Sequence, residues 1–322
     1  MFNVPILFCV FNRLDTTIKV FEKIRKIKPI KLYIVSDAPR ESRPDEDKKV
    51  YEVRDYIENS IDWECEVHKN YATKNMGCGK RISSGISWAF EQEEELIILE
   101  DDCIPDLSFF RYCQEMLEYY KDDTRILMIG GNNPVGHLYS SKYDYLFSHV
   151  PFMWGWATWK RSWELYDYYI TSWKDNKNNP IIKKSLSVRS AYMYYTAQFE
   201  YLSKGLDNGI WDYQFMYVGI INSMYGILPT CSLVNNIGFS EESTHTKESP
   251  KWMNKKVSEM SFPIQYRKGV EWDKDFDEIY FRLYTKNGLI LKLKSSVGLD
   301  VNRSIKDIIH GRIKLIIKWI RR

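Results

Sequence analysis

The sequence lacks the features of several protein classes. No run approaches the roughly 20 apolar residues of a membrane-spanning helix. The apolar N-terminus has no basic segment and contains Pro5, which indicates a strand rather than a signal peptide. The six cysteines form no CxxC pair, so we expect free thiols in a reducing, cytoplasmic compartment rather than a zinc ribbon or a disulfide scaffold. Internal repeats and low-complexity segments are also missing.

A large charge excess is missing too. The 46 Lys and Arg residues nearly balance 43 Asp and Glu residues, and the net charge of +3 predicts no nucleic-acid partner. The segment from Arg303 to Arg322 holds seven Lys or Arg and one Asp, which leaves 39 basic and 42 acidic residues elsewhere. Its isoleucines recur at spacings of three and four, which predicts a basic amphipathic helix. That helix either packs on its own protein or binds the anionic inner face of a membrane as a peripheral anchor.

Aromatic residues are abundant, at 15 % of the chain. The 11 Trp, 23 Tyr and 15 Phe need either a large core or a flat ligand to stack on. The length of 322 residues suggests two domains or one large α/β domain with additions.

Strand and helix patterns alternate over the first third of the chain. The predicted strands are Val4–Phe11, Leu32–Val35, Trp63–His68, Leu96–Leu99 and, further on, Ile126–Ile129. The predicted helices are Asp15–Lys28, Asp45–Ile57, Ile82–Phe90 and Asp106–Lys121. This order predicts an α/β fold with a parallel sheet, in which ligands bind beyond the carboxyl ends of the strands. Residues 181–225 are interpreted as two helices and residues 226–270 as irregular.

Three adjacent carboxylates, Glu100, Asp101 and Asp102, follow the fourth predicted strand. They repel one another unless a cation lies among them, and Mg²⁺ or Mn²⁺ prefers such oxygen ligands. A metal–diphosphate site is therefore one interpretation. The other is an acidic loop that caps the following helix through Asp106.

Polar residues also follow the first two strands. Arg13 suits a phosphate or a base carbonyl, and Asp37 suits a base N–H or a ribose hydroxyl, although each also suits a surface turn. The stretch from Gly77 to Arg81 is basic and glycine-containing just before a helix, where backbone N–H groups can bind phosphate.

Two residues in the second half are candidates for chemistry. Asp212 begins a predicted helix after a glycine-containing turn, and is either a helix cap or a general base. His245 lies in a polar loop, as a metal or diphosphate contact or as a solvated histidine.

The run from Phe152 to Trp159 fits no simple strand or helix period. It contains Trp154, Gly155 and Trp156, which either belong to a core cluster or stack against a sugar ring.

In this order the stretches resemble the GT-A glycosyltransferases, specifically the N-acetylglucosaminyltransferase I type and its bacterial polysaccharide and capsule relatives. The matching stretches are Phe11-Asn12-Arg13, Ser36-Asp37, Lys80 to Phe90 with Trp88-Ala89, Leu99-Glu100-Asp101-Asp102, Pro105-Asp106, Phe109-Phe110, Trp154-Gly155-Trp156, Trp211-Asp212 and Gly238 to His245. The resemblance covers residues 4–135 well and 150–246 in patches. The Glu-Asp-Asp triplet with Pro-Asp and Phe-Phe is its most specific part.

The resemblance implies a role for each matching residue. Asp102 would bind Mn²⁺ or Mg²⁺, with His245 near the metal, and Asp212 would activate the acceptor hydroxyl. Trp154, Gly155 and Trp156 would contact the acceptor. The residues implied at the nucleotide-sugar donor are Phe11, Asn12, Arg13, Asp37, Gly77, Arg81, Glu100 and Asp101.

The resemblance also implies the architecture and the activity. The fold would be a Rossmann-like GT-A sheet flanked by helices, with a nucleotide-sugar half (1–135), an aromatic-rich acceptor half (136–265) and a C-terminal extension with the amphipathic helix (266–322). The activity would be inverting transfer from a UDP-sugar, such as UDP-GlcNAc, to a saccharide or lipid-linked saccharide. The alternatives are a sugar nucleotidyltransferase, which would need a Gly-rich, Arg-containing loop after the first strand, and a non-catalytic carbohydrate-binding protein.

Overall fold

The computed structural model describes residues 2–206, 209–238, 256–286 and 288–296. The strands in these ranges are β1 (Ile6–Val10), β2 (Lys31–Ser36), β3 (Glu66–Tyr71), β4 (Glu95–Glu100), β5 (Cys103–Pro105), β6 (Ile126–Gly130), β7 (Tyr145–Ser148), β8 (Trp156–Trp159), β9 (Tyr225–Pro229) and β10 (Val234–Asn236). The α-helices there are α1 (Leu14–Ile27), α2 (Glu46–Ser60), α3 (Cys78–Ala89), α4 (Leu107–Tyr120), α5 (Lys160–Trp163), α6 (Trp173–Asn176), α7 (Pro180–Ser185), α8 (Arg189–Leu202), α9 (Asp212–Ile221), α10 (Lys274–Tyr284) and α11 (Gly288–Ser296). The chain is therefore a mixed α/β protein, as the alternating pattern predicted.

Eight strands form the central sheet in the order β3-β2-β1-β4-β8-β6-β9-β7. The pairs β1–β2, β1–β4, β2–β3 and β6–β9 are parallel, whereas β8 runs antiparallel to both β4 and β6. β7 is also antiparallel to β9, and β5 pairs with β10 in a separate two-stranded sheet. The parallel half contains the first third of the chain, so the ends of β1, β2 and β4 lie along one edge of the sheet.

The parallel strands form because their residues are apolar without alternation. All five residues of β1 are buried, and Leu7 aligns with Tyr33 on one side and Ile98 on the other. α1 covers the sheet with the buried side chains of Val20, Phe21 and Ile24. A strand with helices on both faces needs no polar face, which explains the continuous apolar runs.

The triplet is followed by a capped helix. The Asp106 carboxylate accepts a hydrogen bond from the Ser108 backbone N–H at 2.9 Å, which begins α4. The predicted helix cap is therefore confirmed, and it lies beside the candidate metal-binding residues rather than replacing them.

Three sequence interpretations differ from the structure. The third strand was expected at Trp63–His68, but β3 spans Glu66–Tyr71, because it is a half-exposed edge strand with a weak apolar signal. Residues 226–270 were expected to be irregular, but they contain most of β9 and all of β10. The aromatic run contains β8, whose four buried residues show no alternation because both faces are covered.

The chain divides into two units, which we describe separately. The α/β unit comprises Met1–Tyr168 and Asn208–Tyr280, and the helical unit comprises Tyr169–Asp207 and Phe281–Arg322. In the helical unit α11 packs against α8, and a Cβ at Gly288 would overlap the Ser190 carbonyl oxygen. The functional boundaries predicted at residues 135 and 265 remain predictions.

Two carboxylates of the α/β unit protect the edge strand β7. The Phe147 N–H donates to Asp273 Oδ2 and the His149 N–H donates to Asp277 Oδ2, both at 2.8 Å. Ser148 Oγ also donates to Asp277. The two acidic residues stand four apart at the start of α10, so they reach alternate amide groups along the strand.

The predicted amphipathic segment from Arg303 to Arg322 lies outside the described residues. Within the described part of the chain, no helix combines the length and the apolar character needed to span a membrane.

Candidate active site

A cavity of about 690 Å³ opens at the carboxyl ends of β1 and β2, beside the end of β4 and the start of α3. It is lined by all the residues for which the resemblance implies donor contacts, namely Phe11, Asn12, Arg13, Asp37, Gly77, Arg81, Glu100 and Asp101. These residues span 91 positions of sequence, and the parallel sheet brings them to one place. Their individual roles remain predictions.

Arg13 supplies a positive charge among the three carboxylates. Its Nη2 donates to Asp101 Oδ1 and lies 3.0 Å from Asp102 Oδ2. Burial alone lowers the pKa of Arg13, but the two carboxylates outweigh burial and raise it overall. The repulsion expected within the triplet is thus relieved in this structure by a guanidinium group. The expected contact of Arg13 with a base remains a prediction.

Burial and mutual repulsion raise the pKa of two of the three carboxylates. Burial, together with the charges of Asp102 and Asp101, raises the pKa of Glu100 well above its usual range. Burial also raises the pKa of Asp101 to about 6, although Arg13 opposes that change. Asp101 Oδ2 is buried and has no hydrogen-bond partner among the described residues. Asp101 is therefore a buried carboxylate with one oxygen left unsatisfied by the described residues.

Asp102, the expected metal ligand, follows two residues that line the cavity and is not itself among the lining residues, so its metal contact remains a prediction. Its side chain is 15 % exposed, and a Cβ at Gly238 would overlap its Oδ2, so only glycine permits this close approach of the backbone. Among the described residues, no group of three or more His, Cys, Asp or Glu side chains is arranged to hold a metal. The site fits a divalent cation held by one carboxylate together with phosphate oxygens of a ligand. His245, the second expected metal residue, lies outside the described residues.

Asp37 organises the loop that forms one side of the cavity. Its carboxylate accepts hydrogen bonds from the backbone N–H groups of Ala38, Met76 and Gly77 at 2.9 to 3.1 Å. Gly77 has φ of +79°, a conformation that favours glycine just before α3. A direct contact of Asp37 with a base remains a prediction, and its visible function is to hold the loop.

Arg81 is a buried cation that makes no hydrogen bond to a carboxylate among the described residues. It is 6 % exposed and donates to the Ser36 carbonyl oxygen at 3.2 Å and to Asn70 Oδ1 at 2.9 Å. Burial lowers the pKa of Arg81. The charge of Asp37 opposes that change, so the Arg81 cation is partly balanced. Within the described part of the chain its guanidinium donates only to neutral oxygens, which leaves positive charge near this end of the cavity that can attract an anion.

The sequence interpretation missed three cations at the cavity. Arg40 is held by Glu46, with Nε to Oε2 at 2.9 Å, and its guanidinium carbon lies 5.5 Å from the centroid of the Phe11 ring. Arg43 and Lys49 also line the cavity, and neither forms an ion pair with another described residue. The available signal was position, since Arg40 and Arg43 follow β2 closely and loops after parallel strands line ligand sites.

Asp212 is the first residue of α9 and is partly exposed. Its Oδ1 accepts a hydrogen bond from the Tyr213 backbone N–H at 2.9 Å. Its negative charge contributes to the raised pKa of Glu100, so the field of Asp212 reaches the cavity wall. Gly79, at the start of α3, lies against the loop before Asp212, since a Cβ there would be 2.9 Å from the Gly209 carbonyl oxygen.

An aromatic block fixes the backbone before Asp212. We define this block as Trp156, Trp163, Tyr166, Trp211 and Phe215. The Trp156 ring centroid lies 5.6 to 6.2 Å from those of Trp163, Trp211 and Phe215. Tyr166 stacks on Trp163 at 4.2 Å and donates a hydrogen bond to the Trp211 carbonyl oxygen at 2.9 Å.

Two of the predicted acceptor residues, Gly155 and Trp156, are packed inside the protein. Trp156 is 1 % exposed, so its ring offers no face to a sugar. Gly155 is buried with φ of +64°, and a Cβ there would lie 2.8 Å from a methyl group of Val234. Trp156 and Gly155 therefore pack against protein in this structure, and an acceptor contact of either residue remains a prediction. Trp154 is partly exposed, and its acceptor contact remains a prediction.

Three solved structures are similar to this chain. S. aureus TarS 1-349 is 9 % identical with a TM-score of 0.36, over 69 % of this chain and 71 % of that one. HddC from Yersinia pseudotuberculosis is 12 % identical with a TM-score of 0.30, over 50 % and 78 %. GalNAc-T7, solved with UDP, GalNAc and Mn²⁺, is 11 % identical with a TM-score of 0.43, over 76 % and 45 %. At these TM-scores the similarities assign neither a family nor an activity. No protein-family model and no curated protein matches the chain.

Proposed function

We propose that the chain is a GT-A glycosyltransferase that moves a sugar from a nucleotide diphosphate donor to a saccharide acceptor. The observation that carries the proposal is that one cavity is lined by every residue for which the resemblance implies a donor contact. The proposed donor is a UDP-sugar, such as UDP-GlcNAc, and the acceptor is a glycan or a lipid-linked saccharide.

The donor would bind through complementary charge and an unsatisfied acceptor. Among the described residues Arg81 bonds only to neutral oxygens, and it would contribute positive charge at one end of the cavity, which favours an anionic diphosphate. Asp101 Oδ2 would accept a hydrogen bond from a ribose or sugar hydroxyl, because it lacks any other described partner. Glu100 lines the same wall and would contact the sugar.

Asp102 would hold Mn²⁺ or Mg²⁺ with the donor phosphates. When bound, such an ion neutralises negative charge on the departing nucleotide diphosphate. Arg13 now contacts the Asp102 carboxylate, so its guanidinium would shift within the cavity or share that oxygen with the ion.

Asp212 would be the general base. Its carboxylate would remove the proton of the acceptor hydroxyl as the oxygen attacks the anomeric carbon from the face opposite the leaving group. The bond to the nucleotide diphosphate breaks as the new glycosidic bond forms. This single displacement inverts the anomeric configuration. The aromatic block supports the role because it fixes the Trp211 backbone beside this carboxylate.

The proposal is tested first by donor binding. A panel of nucleotide sugars with Mn²⁺ is added to the purified protein, and the melting temperature is measured, since a ligand of the native state raises it. We expect stabilisation by one nucleotide class and release of the nucleotide diphosphate when acceptor is added. Stabilisation should be weaker in Asp101→Asn and unchanged in the control Asp122→Asn, an exposed aspartate after α4.

The same panel distinguishes the alternatives. A protein that binds free saccharides but no nucleotide sugar would be a carbohydrate-binding module. One that forms a nucleotide sugar from a nucleoside triphosphate and a sugar phosphate would be a nucleotidyltransferase. Either result would refute the proposed transfer.

A further inference from the structure

The two units of the chain carry opposite net charge. The helical unit, Tyr169–Asp207 and Phe281–Arg322, holds 17 Lys or Arg and 5 Asp or Glu. The rest of the chain holds 29 and 38, so the overall charge of +3 averages a basic unit with an acidic one. The positive charge is therefore not confined to the segment after Arg303. An imbalance of this size indicates an anionic partner for the helical unit.

Most basic side chains in the described part of the helical unit face solvent. In its described part there are ten Lys or Arg residues and two acidic residues, Asp175 and Glu200. Eight of the ten basic side chains are exposed. Glu200 already accepts hydrogen bonds from Trp173 Nε1 at 2.7 Å and pairs with Lys204 at 3.1 Å. The described part of this unit therefore carries a clear excess of positive over negative side chains.

One helix of the same unit exposes an apolar face. In α11, Leu289 is 56 % exposed, Ile290 43 % and Leu293 60 %. These positions lie at spacings of one, three and four, so they share one side of the helix. The opposite side is directed to α8, where Lys292 Nζ donates to Thr196 Oγ1 at 3.3 Å. From Lys286 to Leu299 the sequence contains three lysines and no acidic residue.

We infer that the face of α11 formed by Leu289, Ile290 and Leu293, together with exposed cations of the same unit, binds an anionic lipid bilayer. Exposed leucines in a basic unit match the two components of an interfacial site, because apolar side chains enter the acyl boundary and cations approach the headgroups. A nucleic acid would match the charge but would leave the leucines without a partner. The sequence after α11 is also basic, with seven Lys or Arg and two Asp from residue 297 to Arg322, and it is rich in isoleucine.

The test is co-sedimentation of the full chain with vesicles, without any nucleotide sugar. We expect binding to mixed phosphatidylcholine–phosphatidylglycerol vesicles at low salt, weaker binding at high salt, and little binding to phosphatidylcholine alone. The double variant Leu289→Ser/Leu293→Ser should bind about tenfold more weakly, because each leucine loses its burial in lipid. Lys286→Glu should weaken binding about fivefold or more.

A matched double variant, Leu107→Ser/Leu138→Ser, removes two exposed leucines of the α/β unit and should bind like the wild type. The inference is overturned if the wild type ignores anionic vesicles at low salt, or if the α11 double variant binds them as well as the wild type. It is also overturned if that variant changes only the oligomeric state, since the face would then cover a second copy of the chain. None of these results depends on sugar transfer, so the proposed function is tested separately.

Discussion

The donor cavity and the aromatic block are built from opposite kinds of side chain. The cavity wall carries charged groups, and some of them form ion pairs, such as Arg13 with Asp101. Asp101 Oδ2 has no hydrogen-bond partner among the described residues. The block consists of five rings, and its central ring, Trp156, is 1 % exposed. The polar wall can therefore bind a ligand, whereas the side chains of the aromatic block hold the backbone in place. Asp212 lies where the effects of both regions meet.

The largest expected effect is on catalysis at that residue. Asp212→Asn should lower the rate of sugar transfer about 10³-fold, because an amide cannot take the acceptor proton. Donor affinity should stay within about twofold, since the cavity is unchanged. Transfer kinetics and calorimetric donor titration measure the two quantities. A variant that transfers sugar at the wild-type rate would remove Asp212 from the mechanism.

The next effect separates packing from recognition. Trp156→Ala should lower the free energy of unfolding by about 3–4 kcal/mol, because it empties the centre of the block. The acceptor KM of the folded enzyme should change little. Chemical denaturation and steady-state kinetics are the measurements, with partly exposed Trp154→Ala as the control for a smaller stability loss. A stable Trp156→Ala protein with a much higher acceptor KM would restore the sugar-stacking interpretation.

Metal removal tests the proposed role of Asp102 as a metal ligand. Asp102→Ala, or chelation of the wild type with EDTA, should each reduce transfer about 10²-fold, because charge on the leaving diphosphate is no longer neutralised. Adding Mn²⁺ back should restore the chelated wild type and not the variant. Asp122→Ala serves as the control. Full activity of Asp102→Ala in the presence of EDTA would refute the metal assignment.

The smallest effect tests the link between the two regions. Tyr166→Phe removes the hydrogen bond to the Trp211 carbonyl oxygen, a loss of about 1 kcal/mol. If that bond positions Asp212, kcat should fall about fivefold while donor affinity stays constant. Tyr119→Phe, which alters an exposed ring, should have no effect. Equal kcat values for the two variants would show that Tyr166 only packs.

The sequence predicted the parallel half of the sheet well because buried parallel strands are short apolar runs separated by amphipathic helices. It also placed Asn12, Arg13, Asp37, Glu100 and Asp101 together, since polar residues after parallel strands collect at one edge, but it missed Arg40, Arg43 and Lys49. It did not predict β8 or the burial of Trp156, because an aromatic run looks the same whether its rings contact protein or ligand. The contact of Arg13 with Asp102 depends on side-chain geometry, which cannot be read from the spacing of residues in the sequence.

The charge distribution shows a related limit. The basic segment near the C-terminus was visible as a local pattern, whereas the cations of residues 169–207 are dispersed along the sequence. They belong together only because the chain returns to the same unit after residue 280. A local window cannot detect an electrostatic surface that two distant segments build jointly.

The carboxylates of Asp273 and Asp277 at β7 have a consequence for the behaviour of the protein at high concentration. An edge strand normally offers free amide groups to which a strand of another molecule can hydrogen-bond. Here the amide groups of Phe147 and His149 already donate to side chains of the same chain. These intramolecular hydrogen bonds occupy amide groups at the β7 edge of the central sheet. A strand of another molecule therefore cannot pair with those groups and extend the sheet from that side.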